Sequence, residues 1–358
     1  MTADYLHVPI GDLRALSPDW LSTALARSHP GAVVSAAQVM DATAGTTTRV
    51  RLKLAYSAGS GPERVFVKAQ GRLGHRLMLL VIGMLNAEAR FYACADTMAG
   101  MVPVLMPVGY AAATDRRTLS SVVVLEDITA GGATPNIATT PLDVDTVGRG
   151  VDALSRLHAR YWAGTDAYRR MSWLPVARTT PGWAFTIFGG TRKGIGKAAA
   201  HGLDLPAAAQ SPAQLTTLYR RAITDVRAGP RTVLHGDTHI GNTFTAADGD
   251  LGFLDWQLVR RGSWQHDLAY FVTSALTVAD RAEHEAALLR RYLRGLAGTG
   301  VAAPTWDEAW ARYRRCAPYG LAIWLATLGW SDYQSDEVSL ATAARFASAF
   351  VDHRCGQR

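Results

Sequence analysis

A chain of 358 residues, 48% of them hydrophobic and with a mean hydropathy of +0.02, is long enough for two packed lobes and too apolar to stay disordered. The net charge of +7 describes an arginine-rich solvated surface, and the nearest basic run, Arg192-Lys193-Gly194-Ile195-Gly196-Lys197, lacks the interleaved aromatics of a nucleic-acid site. The first residues carry no signal-peptide pattern, and the apolar stretches at 77–85 and 319–330 fall short of the roughly 20 residues that cross a bilayer. Cys94, Cys316 and Cys355 are odd in number and far apart, which excludes a disulfide framework or a paired metal motif and predicts a reducing cytoplasm.

In chain order, residues 19–27 read as a helix within an N-terminal leader. Residues 38–42 lead into the small polar turn Gly45-Thr46-Thr47-Thr48-Arg49. Val50, Leu52, Leu54 and Tyr56 then alternate with Arg51, Lys53 and Ala55, the pattern of a half-buried strand. A Gly-, Ser- and Pro-rich loop at 57–62 precedes the short strand Arg64-Val65-Phe66-Val67-Lys68. A helical stretch over 77–98 carries Glu88, and strands follow over 102–111 and 121–126. Five strands with one helix inserted after the third predict a small antiparallel lobe.

Beyond Asp127 helical spacing dominates, over 143–162, 213–227, 264–278, 282–296, 306–328 and 337–352. Within it, the apolar strands 232–234 and 251–254 end at His235-Gly236-Asp237 and at Asp255. The segment 165–210, rich in Gly, Pro, Ala and Trp, reads as a loop-heavy insertion. The fold class is therefore α+β and bilobal, with a β-rich lobe at 1–127, a helical lobe at 128–358 and a cleft between them.

The string His235-Gly236-Asp237-Thr238-His239-Ile240-Gly241-Asn242 places an acid after one strand and an amide five positions later, with Asp255 at the end of a second strand. Phosphoryl transfer needs such a set: a carboxylate to orient the attacking hydroxyl, Asp237, and hard oxygen ligands for magnesium, Asn242 and Asp255. The order of base, amide and metal acid matches kinase logic.

This string, with Leu254-Asp255-Trp256, resembles the aminoglycoside phosphotransferase and choline kinase-like superfamily, relatives of the protein kinases. Leu154-Ser155-Arg156-Leu157-His158-Ala159-Arg160-Tyr161-Trp162 and Trp264-Gln265-His266-Asp267-Leu268-Ala269-Tyr270-Phe271 look like the branch that includes ecdysteroid-kinase-like proteins. The resemblance covers roughly residues 42–276. It implies a protein-kinase-like fold, ATP or GTP as donor, magnesium, and a small-molecule hydroxyl as acceptor, in a monomer or dimer without nucleic-acid partner or membrane span.

A kinase-type lobe requires a strand lysine for the phosphates and a helix glutamate to fix it, roles that fall to Lys68 and Glu88. Gly45, Thr46 and Thr47 form the phosphate-covering turn, which has one glycine where protein kinases show three. Residues 125–128 are the hinge, with backbone groups of Glu126 and Ile128 facing the adenine edge. The resemblance makes Asp267 a brace of the catalytic loop at 235–242, and His235 a support of the same turn. His158, on an apolar helix face, reads as a core histidine, and His239 as one that packs or faces the cleft.

Other chemistries fail on register. Gly189–Lys197 lacks the second glycine and the Ser or Thr of a phosphate-binding loop, and His284-Glu285-Ala286-Ala287-Leu288 has Leu where a second zinc ligand must stand. A non-catalytic kinase-like binding module is the rival of another class; it is opposed by the presence of Asp237, Asn242, Asp255, Lys68 and Glu88 together. The missing Ala-Pro-Glu segment opposes a protein kinase. For the acceptor, the basic balance and Trp173, Trp183, Trp324 and Trp330 favour a neutral or anionic, partly apolar alcohol such as a sterol, a glycoside or a nucleoside-like natural product or antibiotic. A cationic aminoglycoside or choline is the alternative.

Overall fold

A computed structural model describes residues 6–9, 12–44, 47–70, 85–330 and 334–356, together with Arg76 and Leu80. The chain divides into two compact units. The first comprises Met1–Val102, Met106–Thr134 and Asp255–Leu258, and the second Pro103–Leu105, Pro135–Leu254 and Val259–Arg358.

In the first unit the helix Pro18–Leu25 begins where the Ser17 hydroxyl accepts the Trp20 amide at 3.2 Å and Pro18 supplies a preset first turn. Strands β1 (Val33–Ala44), β2 (Thr47–Ala58), β3 (Arg64–Gln70), β4 (Gly109–Asp115) and β5 (Ser120–Glu126) form one antiparallel sheet in the order β1-β2-β3-β5-β4. The alternation in β2 puts Val50, Leu52 and Leu54 into a core with Val65, Val67, Val122 and Val124, which Leu21 and Leu25 of the helix cover. Lys68 thus sits on a strand paired on both sides. The strand expected over 102–111 starts later, at Gly109, because Pro103 and Pro107 have no amide to give a ladder. The helix expected over 77–98 is not continuous either. From residue 85 onward it is two short pieces, Ala87–Tyr92 and Ala95–Met98, and Asn86, with φ of 61°, blocks helix through its own position.

In the second unit the strand Arg231–Leu234 pairs antiparallel with Arg260–Ser263, and Thr243–Thr245 with Leu251–Phe253. Helices surround them. Leu321, Leu325 and Leu328 of Ala317–Gly329 pack with Leu215 and Ile223 of Pro212–Ala228 and with Phe346 and Phe350 of Asp336–Asp352.

Two expectations are corrected here. The supposed loop-heavy insertion contains a helix of 20 residues, Pro181–Ala200, capped by Thr180. Its glycines, which read as loop, serve a close helix crossing: a Cβ on Gly194 would collide with the Leu325 carbonyl, and one on Gly190 with Trp330 and Ala326. The single helix expected over 306–328 is two, Trp306–Arg314 and Ala317–Gly329. Pro318 lacks the amide that would continue the ladder and its ring clashes with the carbonyl four residues back.

Candidate active site

In the first unit Lys68 is 4% exposed, and a lysine so buried needs anionic partners. Its Nζ lies 2.8 Å from Glu88 Oε2 and 2.6 Å from Asp255 Oδ1. Burial pushes the Glu88 carboxyl up, the Lys68 ammonium pulls it back, and Asp255 pushes it up again. Asp255 adopts φ of 59°, a left-handed conformation uncommon for a residue with a side chain, and the next residue, Trp256, stacks on Phe91 at 4.7 Å. Phe91 shares a helix with Glu88, so one aromatic contact fixes the backbone after Asp255 to the helix that carries Lys68's partner.

Thr47 is buried and its hydroxyl accepts from Arg49 Nε at 3.1 Å. Gly45 and Thr46 lie outside the described residues. At the expected hinge, Glu126 clasps Val108: its amide donates to the Val108 carbonyl at 2.8 Å and its carboxylate accepts the Val108 amide at 3.1 Å. The Ile128 carbonyl accepts the Ala133 amide at 3.2 Å.

In the second unit the strand Arg231–Leu234 runs into Gly236, whose φ of 88° turns the chain into the loop. Asp267, fully buried, accepts the His235 amide at 2.7 Å and the Gly236 amide at 3.0 Å, while its backbone carbonyl takes the Thr238 hydroxyl at 2.7 Å. His158 and His266 complete the carboxylate's shell at 3.3 and 3.2 Å. Burial alone would raise Asp267, yet these hydrogen bonds hold it well below the usual carboxylate range. His266 is itself pushed down to about 4, by burial and then by the Arg260 guanidinium, so the ring is neutral at pH 7. Arg260 Nη2 lies 2.7 Å from His266 Nε2, which leaves Nδ1–H to face Asp267.

His235 donates from Nε2 to the Leu254 carbonyl at 2.8 Å and accepts the Asp237 amide at Nδ1, 3.2 Å away. Asn242 Nδ2 donates to both the carbonyl and Oδ2 of Asp237, at 2.9 and 3.0 Å. That orientation turns Asn242 Oδ1 away from Asp237. The Asn242 carbonyl accepts the Leu254 amide at 2.7 Å, and Asp255 is the next residue in the chain. His239 packs edge-on against Trp324, with centroids 5.1 Å apart, and its Nε2 stands 3.9 Å from Asp237 Oδ2. The packing side of the expectation for it is therefore met.

Among the described residues no group of three His, Cys, Asp or Glu side chains is placed to hold a metal. Asn242 in the second unit carries an amide oxygen and Asp255 in the first a carboxylate. Each is a hard oxygen donor of the type that magnesium takes.

Residues 85–314 match the model of a phosphotransferase enzyme family. The chain belongs to that family. A choline kinase from Cryptosporidium parvum Iowa II is similar in structure, with a TM-score of 0.52, 11% identity and coverage of 89% of this chain and 88% of the other. A spectinomycin phosphotransferase solved with ADP and spectinomycin aligns with a TM-score of 0.51 and 13% identity over 93% of this chain and 99% of its own. An aminoglycoside-3′-phosphotransferase of type VIII shares 22% identity over 84% and 98% of the two chains, with a TM-score of 0.45. Comparison with curated proteins finds no match. The phosphotransferase has the protein-kinase-like fold of the choline kinase and the spectinomycin phosphotransferase. The narrower likeness to ecdysteroid-kinase-like proteins is not confirmed by them. Among the described residues no helix is long and apolar enough to cross a membrane.

Several of the phosphotransferase's supporting residues were invisible in the sequence. His158 is the core histidine expected, with Tyr292 at 2.7 Å, yet its other nitrogen braces Asp267. Arg260 gives no signal and His266 enters only within the string 264–271, because their pairing depends on the register of two strands and the start of a helix. Arg49 was read only as part of a turn, and its side chain reaches Asp255 Oδ2 at 3.2 Å.

Proposed function

We propose that this phosphotransferase moves the γ-phosphate of ATP, with magnesium, to a hydroxyl group of a small molecule. The observation that carries the reading is the double hydrogen bond from Asn242 to Asp237, which fixes a carboxylate and presents an amide oxygen from the same loop. Lys68, held by Glu88, and Asp255 are assigned to the nucleotide, with Thr47 and the 126–128 backbone around it. Asp237 is the base. The acceptor oxygen attacks the γ-phosphorus, the bond to the β,γ-bridging oxygen breaks, ADP leaves with that electron pair, and the hydroxyl proton passes to Asp237. Magnesium, when bound, offsets charge on the phosphates. Asp267 and His235 hold the loop.

For the acceptor, the carboxylates of the C-terminal helices support a neutral or anionic, partly apolar alcohol over a polycation. Asp280 pairs with the Thr277 hydroxyl at 2.7 Å, Glu285 with Arg281 at 2.9 Å and Asp336 with Lys197 at 3.2 Å. Glu308 closes a capping box with Thr305, and Asp352 bonds Arg281. Asp332 lies outside the described residues. Each of the other five acids has a local partner, whereas a polycation needs several that converge. Trp324 against His239, three residues from Asn242, adds an apolar wall.

Calorimetry with ATP, with and without magnesium, tests the nucleotide half. Asp255→Ala is expected to abolish the magnesium dependence of ATP binding. Unchanged dependence in that variant removes Asp255 from the metal site.

A further inference from the structure

Both carboxylate oxygens of Asp255 are engaged by cations of the chain itself: Oδ1 by Lys68 Nζ at 2.6 Å, and Oδ2 by Arg49 Nη2 at 3.2 Å. The two cations come from adjacent strands and stand directly opposite each other, since Arg49 on β2 pairs in register with Lys68 on β3. Like charges opposite one another destabilise a sheet unless an anion lies between them. Asp255 is that anion here.

The two are not held alike. Lys68 is buried and tied to Glu88 at 2.8 Å, so moving it strands a buried carboxylate. The Arg49 side chain is 41% exposed, and its other hydrogen bond is to the neutral Thr47 hydroxyl. A divalent ion on Asp255 needs a carboxylate oxygen at about 2.1 Å. A guanidinium on the same oxygen opposes it by like charge, so Arg49 is the group that yields.

We propose that Arg49 is a second phosphate-binding cation of the nucleotide site, resting on Asp255 and passing to the nucleotide phosphates when metal and nucleotide bind. The proposal rests on the assignment of Asp255 to the metal. A guanidinium presents a planar fork that matches phosphate oxygens, and the Arg49–Lys68 pair then closes on the phosphates as it now closes on Asp255.

Removing the Arg49 charge has opposite consequences for two ligands. Titration calorimetry of the full chain with Mn2+ alone, and separately with MgATP, reads both. Arg49→Gln is expected to bind Mn2+ alone several-fold more tightly, because its competitor is gone. The same variant is expected to bind MgATP about tenfold more weakly or worse, the scale of one hydrogen bond to a charged group. A residue that merely held Asp255 in place would weaken both. An Arg49→Gln variant that gains no Mn2+ affinity, or keeps wild-type MgATP affinity, overturns the proposal. Asp255→Ala separates this from the underlying reading. If that variant keeps wild-type, magnesium-dependent ATP binding, the metal assignment itself fails; if it loses that binding and Arg49→Gln lacks the crossed pattern, only the role of Arg49 fails.

Discussion

The side-chain amide of Asn242 spans Asp237, donating to its backbone carbonyl at 2.9 Å and to its carboxylate at 3.0 Å. The five-residue spacing visible in the sequence is what closes this loop. Its geometry has two effects. The donor pair holds the Asp237 carboxylate in one orientation, and it turns the amide oxygen Oδ1 away from Asp237. The loop is in turn fixed from beneath by Asp267, through the His235 and Gly236 amides.

Lys68 and Glu88 should separate in a pair of variants. Lys68→Met removes the cation and leaves two carboxylates facing each other, so MgATP affinity is expected to fall by more than about tenfold. Glu88→Gln keeps the shape, and Lys68 retains Asp255 at 2.6 Å, so the loss is expected to be smaller. Calorimetry with MgATP checks the order, and equal affinities in both variants and the wild type contradict the assignment.

The buried histidine next to Asp267 predicts a stability loss on mild acidification. His266 titrates near 6.5 when unfolded and at about 4 in the fold, where burial and Arg260 disfavour its charge. Above pH 6.5 neither state holds that proton. Between pH 6.5 and about 4 the unfolded chain takes it up and the folded chain does not, so stability falls, by about 3 kcal/mol in all. Asp267, held below its ordinary value, adds a further loss below about pH 4. Denaturant midpoints from pH 7.5 to 4 are expected to fall less steeply for His266→Gln; the same slope as wild type contradicts the account.

Two glycines of the helix Pro181–Ala200 should respond with opposite sign. Gly194 meets the Leu325 backbone, so Gly194→Ala overpacks the crossing and is expected to cost about 1–3 kcal/mol. Gly196 faces open space in the same helix, and Gly196→Ala is expected to stabilise by about 0.5–1 kcal/mol. Urea midpoints of the two variants measure this directly. A neutral Gly194→Ala shows that the helices do not approach as closely as described.

These glycines also mark where the sequence misled. Local signals carried the β2 alternation, the strand of Lys68 and the two strands that end at His235 and Asp255, since each is encoded within a few residues. Gly190 and Gly194 carried a long-range requirement, contact with Leu325 and Trp330, which local propensity reads as loop. The shell of Asp267 is half legible: its own place at a helix start is, but His158 reaches it from another helix and Arg260 reaches its neighbour His266 from a strand. Arg49 looked like turn punctuation because nothing local reports that it stands opposite Lys68.

As the proposed base, Asp237 takes the proton of an alcohol that receives the γ-phosphate. The direct measurement incubates wild type and Asp237→Asn with MgATP and a panel of neutral, anionic and cationic hydroxyl compounds, and follows ADP release together with phosphorylated product by mass spectrometry. A phosphorylated alcohol is expected with wild type, with a rate about 10²–10⁴-fold lower for Asp237→Asn and near-equal MgATP affinity for the two proteins. Product formed by Asp237→Asn at the wild-type rate contradicts it.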